Sequence, residues 1–586
     1  MTKTEWRTVG CRGFWKAPLI AAVSWASAAL LFLPAPPARA QSCANSDLVV
    51  RNAKIVTMDG SDRVVQAVAV RAGRISAVGT EQELAACISP ATRVIDASGR
   101  TILPGLIDVH THGLEWAKGI VRNQIDATYP AMKSIAALAA EIAARAKSVA
   151  PGTWISGAGW DDAKYSERRY VVRNDIDPVS GDHPVYVSHV SGHLAIANSA
   201  ALKLAGITRD TPDPSGGVIE HDANGEPTGI LKDNAMQMVE HLLPADPPDL
   251  TARAAKYLSD QALAVGLTTI HDVSLSPQDL RGYQQAEHAG WLKLRVHMAP
   301  LVRNISDAET LAASGLFTGF GNERLKIGAA KMFADGGMGA RTIAIYPPSL
   351  AGEPNNFGLL IWPPEEMQKA HRILAAAGWQ LVTHAIGDRA IDEVLDSYAA
   401  TSKALNLSDA RFRVVHCGVS TPAIQKRLKD LGVLVDGDPP FVYWIGSWFR
   451  KYGPERVRWS YPGKSYFANG IIAGAGSDVP VTPLTPWWGI WAAVVRRELI
   501  SGDILAPEER LTIREALTLY TRNGAYAGFE EKSKGSLEVG KLADFIVVDR
   551  DVLSVPSEQL KDVRVVMTFV GGELCYQNTA GKGGSP

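Results

Sequence analysis

The segment from Thr101 to Gly113 ends in His110 and His112, which are separated by a single threonine. Alternate residues of a β-strand point to the same side, so the two imidazoles can reach one point in space. Neutral imidazole nitrogens are ligands for zinc and related divalent ions. Two of the thirteen histidines can also fall close together by chance, so the meaning of the pair depends on what the rest of the chain supplies.

Further residues that could bind a metal or transfer a proton stand at the ends of later apolar segments. They are Lys331, His384, His416 and Asp478. Together with the first pair they provide imidazoles as terminal ligands and a carboxylate that can handle a proton, which is about the set that two divalent metals need. A lysine ammonium is a poor ligand, but a lysine carboxylated by carbon dioxide is a carbamate, which can bridge two cations.

Each of these residues also has a structural interpretation. A histidine at a strand end is often only hydrogen-bonded, Lys331 could pair with Asp335, and Asp478 could cap the next helix. The joint placement of all six candidates at the ends of strand-like segments favours the functional interpretation.

Eight apolar, strand-like segments would position these residues. They are residues 102–109, 266–272, 294–299, 325–333, 379–384, 411–416, 432–436 and 470–478. Helical patterns lie between the later segments, for example at 364–377 and 421–431, and the alternation of strands with helices indicates a parallel sheet. The pattern predicts an α/β fold of the (β/α)8 TIM-type barrel class, in which reactive residues lie at the C-terminal ends of the strands.

Two parts of the chain fall outside the barrel pattern. Residues 113–265 are too many for one crossover connection, and they predict an insertion after the first strand that packs over the mouth of the barrel. Short β segments separated by turn residues occur in residues 41–100 and again in 530–580. They predict one small composite β-sandwich domain, formed where the N- and C-terminal segments meet, and leave residues 101–529 for the barrel.

The first forty residues have the organisation of a signal peptide. Basic residues come first, the seventeen residues 17–33 are apolar, and Ala38-Arg39-Ala40 matches the small-x-small cleavage pattern. A retained membrane anchor is the competing interpretation, but such a run is at the short limit for spanning a bilayer. We expect a mature start near Gln41, export to a bacterial periplasm, and no stable membrane association after cleavage.

The composition is that of an ordinary globular protein, with 46% hydrophobic residues, 21% charged residues and a net charge of −1. It gives no electrostatic reason to expect nucleic acid or an anionic membrane as a partner. We expect a small-molecule substrate, and assembly into a homo-oligomer is left open.

Four cysteines lie beyond the signal segment, which is too few for a disulfide framework. In an oxidising compartment, a bridge between Cys43 and Cys87 and a pair of separate thiols are equal alternatives. The other two, Cys417 and Cys575, are far apart, and no Cys-x-x-Cys pair occurs in the sequence.

Six stretches of the chain match the motifs of a known enzyme family. They are Leu103–His112, Ala330–Gly337, Thr383–Ala390, Val415–Gly418, Gly476–Pro480 and Gly535–Asp544. On these motifs the chain resembles the amidohydrolase superfamily and, within it, the amidohydrolase-3 branch that includes N-substituted formamide deformylases. The resemblance covers nearly all of the mature chain.

The resemblance implies a barrel with a composite β-sandwich and a centre of one or two divalent metal ions, usually zinc. The ligands it implies are His110, His112, Lys331, His384, His416 and Asp478. The first two histidines and the aspartate would bind the more buried ion, the last two histidines would bind the second, and the lysine would bridge both as a carbamate. The family often has a glutamate before the fourth histidine, whereas this chain has Val415, which changes the surroundings of that ligand.

The implied reaction is metal-assisted hydrolysis of a carbon–nitrogen bond in an amide or formamide. Asp478 would be the catalytic general base and acid, taking a proton from the attacking water and passing it to the leaving nitrogen. The same centre could also cleave an ester, lactone or phosphotriester, or catalyse a cyclisation or dehydration. A periplasmic binding protein that keeps the barrel without catalysis is a third interpretation, which the six filled positions disfavour.

The insertion supplies candidates for contact with the substrate. Residues 157–161 and 189–193 resemble stretches that are specific to the branch. On that basis Trp160 and His193, together with Arg341 from the barrel, are predicted to line the substrate pocket. A structural insertion with ordinary packing is the alternative interpretation.

Overall fold

Two parallel sheets carry the segments that the sequence predicts as barrel strands. In the computed structural model, which describes residue 43 and residues 45–578, the first sheet has the order Leu325–Ile327, Arg295–Pro300, Leu267–Leu275 and Leu106–Thr111. The second has the order Ala330–Phe333, Leu381–Ala385, Arg413–His416, Leu434–Gly437 and Ala473–Ala475. All neighbouring strands within both sheets run parallel, as expected where strands alternate with helices.

Backbone hydrogen bonds connect these two sheets in two places. The Val302 N–H, two residues after the strand Arg295–Pro300, donates to the carbonyl of Lys331 at 2.9 Å, and the Asp478 N–H donates to the carbonyl of His110 at 2.9 Å. The fold is therefore α/β with parallel sheets, and it is consistent with the predicted TIM-type barrel.

Helices follow most of the parallel strands. The α-helices of the described chain are Glu81–Leu84, Gly113–Val121, Ile135–Ser148, Arg173–Ser180, Ser199–Leu204, Gln237–Glu240, Leu250–Ala264, Pro277–His288, Ile305–Ala313, Pro364–Ala376, Asp388–Leu405, Pro422–Leu431, Phe441–Trp444, Gly446–Phe449, Pro454–Arg458, Gly463–Asn469, Pro486–Val495, Ile513–Leu519 and Arg522–Ala527. Short 3-10 helices are Ala85–Cys87, Asn234–Met236, Arg450–Tyr452, Pro507–Glu509 and Ser557–Asp562. The helix predicted at 421–431 begins where the Thr421 side chain accepts a hydrogen bond from the Ile424 N–H and ends at Gly432 in the left-handed conformation.

The predicted first barrel strand, residues 102–109, is two strands in the structure. Thr101–Pro104 joins a sheet of the terminal segments, whereas Leu106–Thr111 belongs to the first parallel sheet. The chain passes between the sheets at Gly105, where a Cβ atom would lie 2.2 Å from the hydroxyl oxygen of Thr268. Only glycine fits this close approach, and the prediction of one continuous strand is wrong.

The predicted fourth strand, residues 325–333, is divided in the same way. Leu325–Ile327 lies at the edge of the first sheet and Ala330–Phe333 at the edge of the second. The hydrophobic pattern does not reveal the break, because all residues of the run are buried or half-buried on both sides of it. The break places Lys331 in the second sheet, where its side chain is fully buried.

A separate six-stranded sheet lies between the first two parallel strands in sequence. Its order is Gly217–His221, Pro227–Asp233, Leu194–Ala197, Val185–His189, Ile155–Trp160 and Ile125–Asp126. Buried residues such as Ile155, Val187 and Ile196 form a hydrophobic cluster that consists almost entirely of residues 125–230. The inserted unit is therefore stabilised mainly by its own packing.

Segments from both ends of the described chain share a sheet. Its order is Glu573–Gln577, Val565–Val570, Phe545–Val548, Thr101–Pro104, Lys54–Val56 and Val64–Val65. A four-stranded sheet has the order Arg74–Gly79, Ala67–Arg71, Leu48–Arg51 and Arg93–Asp96. Val50 and Val68 of the smaller sheet and Ile102 and Phe545 of the larger sheet belong to one buried cluster, so the two sheets share a hydrophobic core.

The N-terminal segment contains a disulfide between Cys43 and Cys87, whose Cα atoms are 4.9 Å apart. Of the two alternatives that the sequence leaves open, the structure has the bridge, and Cys417 and Cys575 are free thiols. The predicted signal peptide, residues 1–40, lies outside the described residues. Within the described residues, no helix combines the length and the hydropathy needed to cross a membrane.

Candidate metal centre

The four predicted histidine ligands lie side by side at the C-terminal ends of the parallel strands. The ring centroid of His110 is 5.4 Å from that of His112 and 5.0 Å from that of His416. The ring of His384 follows at 4.7 Å from His416. The first, fifth and sixth predicted strands therefore deliver their histidines to one place, as the strand-end rule for this fold class predicts.

Asp478 arrives at the same place from the segment after Ala473–Ala475. Its Oδ1 atom is 3.2 Å from Nε2 of His110 and 3.4 Å from Nε2 of His112. Ligand atoms of His110, His416 and Asp478 all lie within 4.8 Å of one another. One divalent cation placed among these atoms could contact all three side chains.

The hydrogen bonding of these side chains is incomplete in a way that fits a metal. Atoms with no hydrogen-bond partner, although buried, are both ring nitrogens of His110, Nζ of Lys331, Nδ1 of His384 and Oδ1 of Asp478. Buried polar atoms in proteins are almost always paired. Their chemical types are those of ligands to a divalent cation, and the residues present fit the implied group.

The protonation states of the histidines also suit metal binding. Burial is the main cause that lowers the pKa of His110, His384 and His416 well below the usual value, and it lowers that of His112 to about 3. The rings are therefore neutral at physiological pH, and a neutral ring has a free lone pair for a cation.

Lys331 is completely buried among these groups, and its Nζ atom lies 4.5 Å from the ring centroid of Phe333. Burial lowers the pKa of Lys331 to about 7, although the carboxylates of Asp478, Asp436 and Asp438 act in the opposite direction. A substantial fraction of the amine is therefore neutral, which is the form that reacts with carbon dioxide.

The ring of His384 has a defined tautomer. Its Nε2 atom lies 3.0 Å from the carbonyl oxygen of Gly336, and a carbonyl oxygen can only accept, so Nε2 carries the proton. The unpartnered Nδ1 is then the free acceptor. Asp335 holds the adjacent loop, because its carboxyl oxygens accept hydrogen bonds from the N–H groups of Ile386 and Gly387.

The ring of His416 is oriented by Asp438, whose Oδ2 atom is 2.6 Å from Nδ1. Ligand histidines in metal sites commonly bond a carboxylate through their second nitrogen in this way. Burial, and next the charge of Asp478, raise the pKa of Asp438 well above its usual value. The backbone of His416 has a φ of 64°, a sparsely populated conformation for a non-glycine residue that is typical of functional sites.

Two further carboxylates that the sequence analysis did not assign hold the first strand in place. Asp108 accepts hydrogen bonds from the N–H groups of His110 at 3.0 Å and Ser477 at 3.2 Å, and thereby joins the first strand to the segment of Asp478. Asp272 accepts from the Gly113 N–H at 2.8 Å. The signal that could have identified Asp272 is its position at the end of the predicted second strand.

His193 is the residue of the insertion that lies next to the centre. Its ring centroid is 4.8 Å from that of His384 and 5.8 Å from that of Phe333. Its Nδ1 atom is 2.8 Å from Oδ1 of Asp233, a carboxylate that sequence reasoning did not single out. The inserted unit thus contributes a hydrogen-bonded histidine to the edge of the centre.

The other two side chains predicted to contact the substrate each have a partner within the chain. Trp160 is fully buried in the core of the inserted unit, and its indole N–H donates to the carbonyl of Val187 at 3.0 Å. Arg341 binds Glu353 at 2.6 Å, and its guanidinium carbon lies 4.8 Å from the ring centroid of Tyr170. The structure thus gives each a partner within the chain, and their contact with substrate stays a prediction.

A second group of buried ligand-type side chains lies in the inserted unit and comprises Asp161, Asp162 and His189. Its negative charges are already balanced, since Lys164 is 2.8 Å from Asp161 and Lys451 is 3.9 Å from Asp162. A cation would have to displace both lysines. We therefore interpret this group as a salt-bridged support of the insertion.

Known proteins match this chain over most of its length. The model of the amidohydrolase family matches residues 93–576. The chain is 30% identical over 543 residues to the N-substituted formamide deformylase of Arthrobacter pascens, covering 91% of this chain and 99% of that protein. It is also 30% identical over 540 residues to the putative amidohydrolase YtcJ of Bacillus subtilis, covering 89% of this chain and 98% of that protein.

The fold has a close counterpart among solved structures. An uncharacterized metal-dependent hydrolase from Pyrococcus horikoshii superposes with a TM-score of 0.68 at 25% sequence identity, covering 87% of this chain and 99% of that one. The family match spans most of the sequence, and the relatives are matched over nearly their whole length. The chain therefore belongs to the amidohydrolase family, as its motifs predict, and it is a hydrolase.

Proposed function

We propose that this protein hydrolyses a carbon–nitrogen bond of a small amide, most closely a formamide. The observation that carries the proposal is the convergence of four neutral histidines, a buried unpartnered lysine and Asp478 at the ends of the parallel strands. The relative named as an N-substituted formamide deformylase supports the choice of bond.

The proposed centre holds one or two divalent ions, with zinc as the metal, because imidazole nitrogen with carboxylate oxygen is a preferred zinc environment. His110, His112 and Asp478 would hold the more buried ion, and His384 with His416 would hold the other. Lys331, carboxylated on Nζ, would bridge them. When bound, the metal lowers the pKa of a coordinated water and polarises the carbonyl of the substrate.

In the proposed reaction, Asp478 moves the proton. Its carboxylate lies beside His110 and His112, where it can accept a proton from the attacking water. The same carboxyl then donates this proton to the nitrogen that leaves, so that an amine departs rather than an amide anion. The buried surroundings exclude bulk water, which strengthens these charge interactions.

The proposed architecture around this reaction is a closed (β/α)8 barrel with a composite β-sandwich. The backbone hydrogen bonds between the two parallel sheets support closure of the barrel. The common hydrophobic core of the two terminal sheets supports the sandwich. The inserted unit would cover the opening and supply the pocket wall, with His193 nearest the metals and Trp160 and Arg341 further out.

We also propose that the protein is exported, with cleavage near Gln41 and a periplasmic destination. The disulfide between Cys43 and Cys87 supports this, because disulfides persist in oxidising compartments. The proposed partner is a small-molecule substrate, without nucleic acid and without stable membrane association. A homo-oligomer is compatible with the proposal.

A panel of substrates tests the function. The purified protein, loaded with zinc, would be assayed against an N-substituted formamide, the matching N-substituted acetamide, and a formate ester with the same substituent. We expect hydrolysis of the formamide that disappears after chelation and returns with added zinc. Hydrolysis of the ester alone would contradict the proposed bond, and full activity after complete metal removal would contradict the proposed centre.

A further inference from the structure

His193 and Asp233 form a hydrogen-bonded pair that the inserted unit presents to the metal centre. The side chain of Asp233 is completely buried, whereas that of His193 keeps 13% of its surface exposed. The backbone reinforces the pair, since the Asp233 N–H donates to the carbonyl of His193 at 2.9 Å. The carboxylate therefore lies behind the ring, and the ring forms the exposed end of the pair.

The barrel is shaped to receive this pair. A Cβ atom at Gly337 would lie 2.7 Å from the ring of His193, and one at Gly336 would lie 2.7 Å from Oδ2 of Asp233. The two consecutive glycines thus allow an approach that any other residue would prevent. Asp233 itself has a φ of 48°. This conformation is strained for a non-glycine residue and is maintained only where the surrounding contacts enforce it.

The His193 ring packs against side chains of the predicted centre. Its ring lies against those of His384 and Phe333. His193 therefore lies at the edge of the predicted centre, on the side of the inserted unit.

The pair determines what kind of hydrogen bond His193 can make. Nδ1 lies 2.8 Å from a carboxylate oxygen of Asp233, an acceptor, so we assign the ring proton to Nδ1, which donates to Asp233. Nε2 then has a free lone pair, and in the neutral ring it can accept a hydrogen bond but cannot donate one. A carbonyl oxygen is an unsuitable partner for such an atom, whereas an N–H group is a suitable one.

We propose that Nε2 of His193 accepts a hydrogen bond from the N–H of the substrate, so that the enzyme selects amides that keep a hydrogen on the scissile nitrogen. This inference rests on the proposed function and specifies its substrate class as secondary amides. An N,N-disubstituted amide would leave the lone pair of His193 without a partner and place an alkyl group against it. Sites built to bond an N–H discriminate strongly against analogues that lack it.

Two substrates that differ by one methyl group test the selection. They are an N-alkyl formamide and the N-methyl-N-alkyl formamide with the same alkyl group. We expect kcat/KM of the zinc-loaded wild type to be at least roughly 100-fold higher for the first. In His193→Ala the ratio should fall below about 10 with an unchanged metal content. His241→Ala, which alters an exposed histidine of the same inserted segment, should keep the wild-type ratio.

The outcomes separate the inference from the proposed function. If the wild type hydrolyses neither amide, the proposed function is wrong and the inference fails with it. Hydrolysis with a ratio near one, or a ratio that His193→Ala leaves unchanged, overturns the inference alone. Loss of metal from His193→Ala would also overturn it, because His193 would then be a metal ligand.

A second measurement does not depend on activity. Nitrogen NMR of protein labelled in its histidines, recorded at a pH of about 8.5 where an ordinary histidine is neutral, reports which ring nitrogen carries the proton. We expect His193, assigned with His193→Ala, to carry it on Nδ1 in the wild type. In Asp233→Asn the amide NH₂ can donate to Nδ1, and the proton should move to Nε2. A proton on Nε2 in the wild type would overturn the assigned role.

Discussion

Nδ1 of His416 lies 2.6 Å from Oδ2 of Asp438, and both side chains are buried. A cation at Nε2 of this ring requires the proton to stay on Nδ1, from which it is donated in a hydrogen bond to the carboxylate of Asp438. Carboxylates in this position typically contribute 10- to 100-fold to metal affinity. We therefore expect Asp438→Asn to weaken zinc binding by roughly 10- to 100-fold, measured by competition with a chelator.

The matched control for this variant is Asp436→Asn. Asp436 is buried two residues earlier and pairs with Arg413 at 3.3 Å rather than with a predicted ligand. This substitution removes a buried negative charge two residues away and leaves the contact between Asp438 and the ring of His416 in place. Equal losses of zinc affinity in the two variants would show that charge, and not the contact with His416, is responsible.

Asp478→Asn separates proton transfer from metal binding. The amide keeps an oxygen that can contact a cation, but it cannot accept a proton at neutral pH. Loss of a positioned general base typically costs 10²- to 10⁴-fold. We expect kcat for formamide hydrolysis to fall by about that factor, while elemental analysis finds the metal content of the wild type. A variant that keeps full activity would rule out Asp478 as the base.

The placement of the candidate site could be predicted because it depends on a local rule. Five of the six predicted residues end or follow an apolar segment and Lys331 lies near the end of one, and parallel strands present their C-terminal ends at one edge. In the structure His110, His416 and Asp478 accordingly lie within contact distance of one cation. Their roles as ligands remain predictions.

The carboxylates that bond to the histidines of the site could not be predicted, because the sequence does not show which residues pair across a long separation. Asp438 and His416 are 22 residues apart, and Asp233 and His193 are 40 residues apart. No periodicity or motif links such positions before the tertiary structure is known. The break of the first strand was missed for a similar reason, because Gly105 contacts Thr268 from another strand.

Asp272 holds the turn that carries His112. Its carboxylate accepts hydrogen bonds from the N–H groups of Gly113 and Leu114, at the start of the helix Gly113–Val121, and from the hydroxyl of Tyr283. Removing such a cap costs about 0.5–2 kcal/mol. We expect Asp272→Ala to lower the free energy of unfolding by about that amount and to weaken zinc binding, because the position of His112 depends on this turn.

Tyr283→Phe is the control for this prediction. It removes the hydroxyl that donates to Asp272 and leaves both backbone hydrogen bonds of the carboxylate in place. Zinc affinity should therefore stay near that of the wild type. If Tyr283→Phe weakened zinc binding as much as Asp272→Ala, the effect would come from packing of the helices and not from the cap.

Glu530 lies in the C-terminal segment and pairs with side chains of two neighbouring strands, Arg295–Pro300 and Leu325–Ile327. Its carboxylate lies 2.8 Å from Nε2 of His297 and 2.7 Å from Nζ of Lys534, and it also pairs with Lys326. Breaking a buried ion pair typically costs roughly 3–5 kcal/mol, because the remaining charge loses its partner. We expect Glu530→Gln to lower the free energy of unfolding at pH 7 by about that amount, as measured by urea denaturation.

The pH dependence of this effect has a defined sign. Burial alone would raise the pKa of Glu530, but His297, Lys534 and Lys326 outweigh it and hold the pKa far below its usual value. Glu530 therefore stabilises the fold fully above the unfolded-state pKa of about 4.3 and progressively less as pH falls below it. The difference in unfolding free energy between wild type and Glu530→Gln should be constant from pH 7 to 5 and shrink below about pH 4.

Glu538→Gln provides the comparison, because Glu538 pairs with Lys541 at 2.9 Å but its side chain is 42% exposed. An exposed pair of this kind contributes at most about 1 kcal/mol, so this variant should unfold almost as the wild type does. If the two variants lost equal stability, burial would not be what makes the Glu530 cluster strong. A difference for Glu530→Gln that grew toward acid pH would reverse the assigned sign, because it would mean that Glu530 is protonated more readily in the folded chain than in the unfolded one.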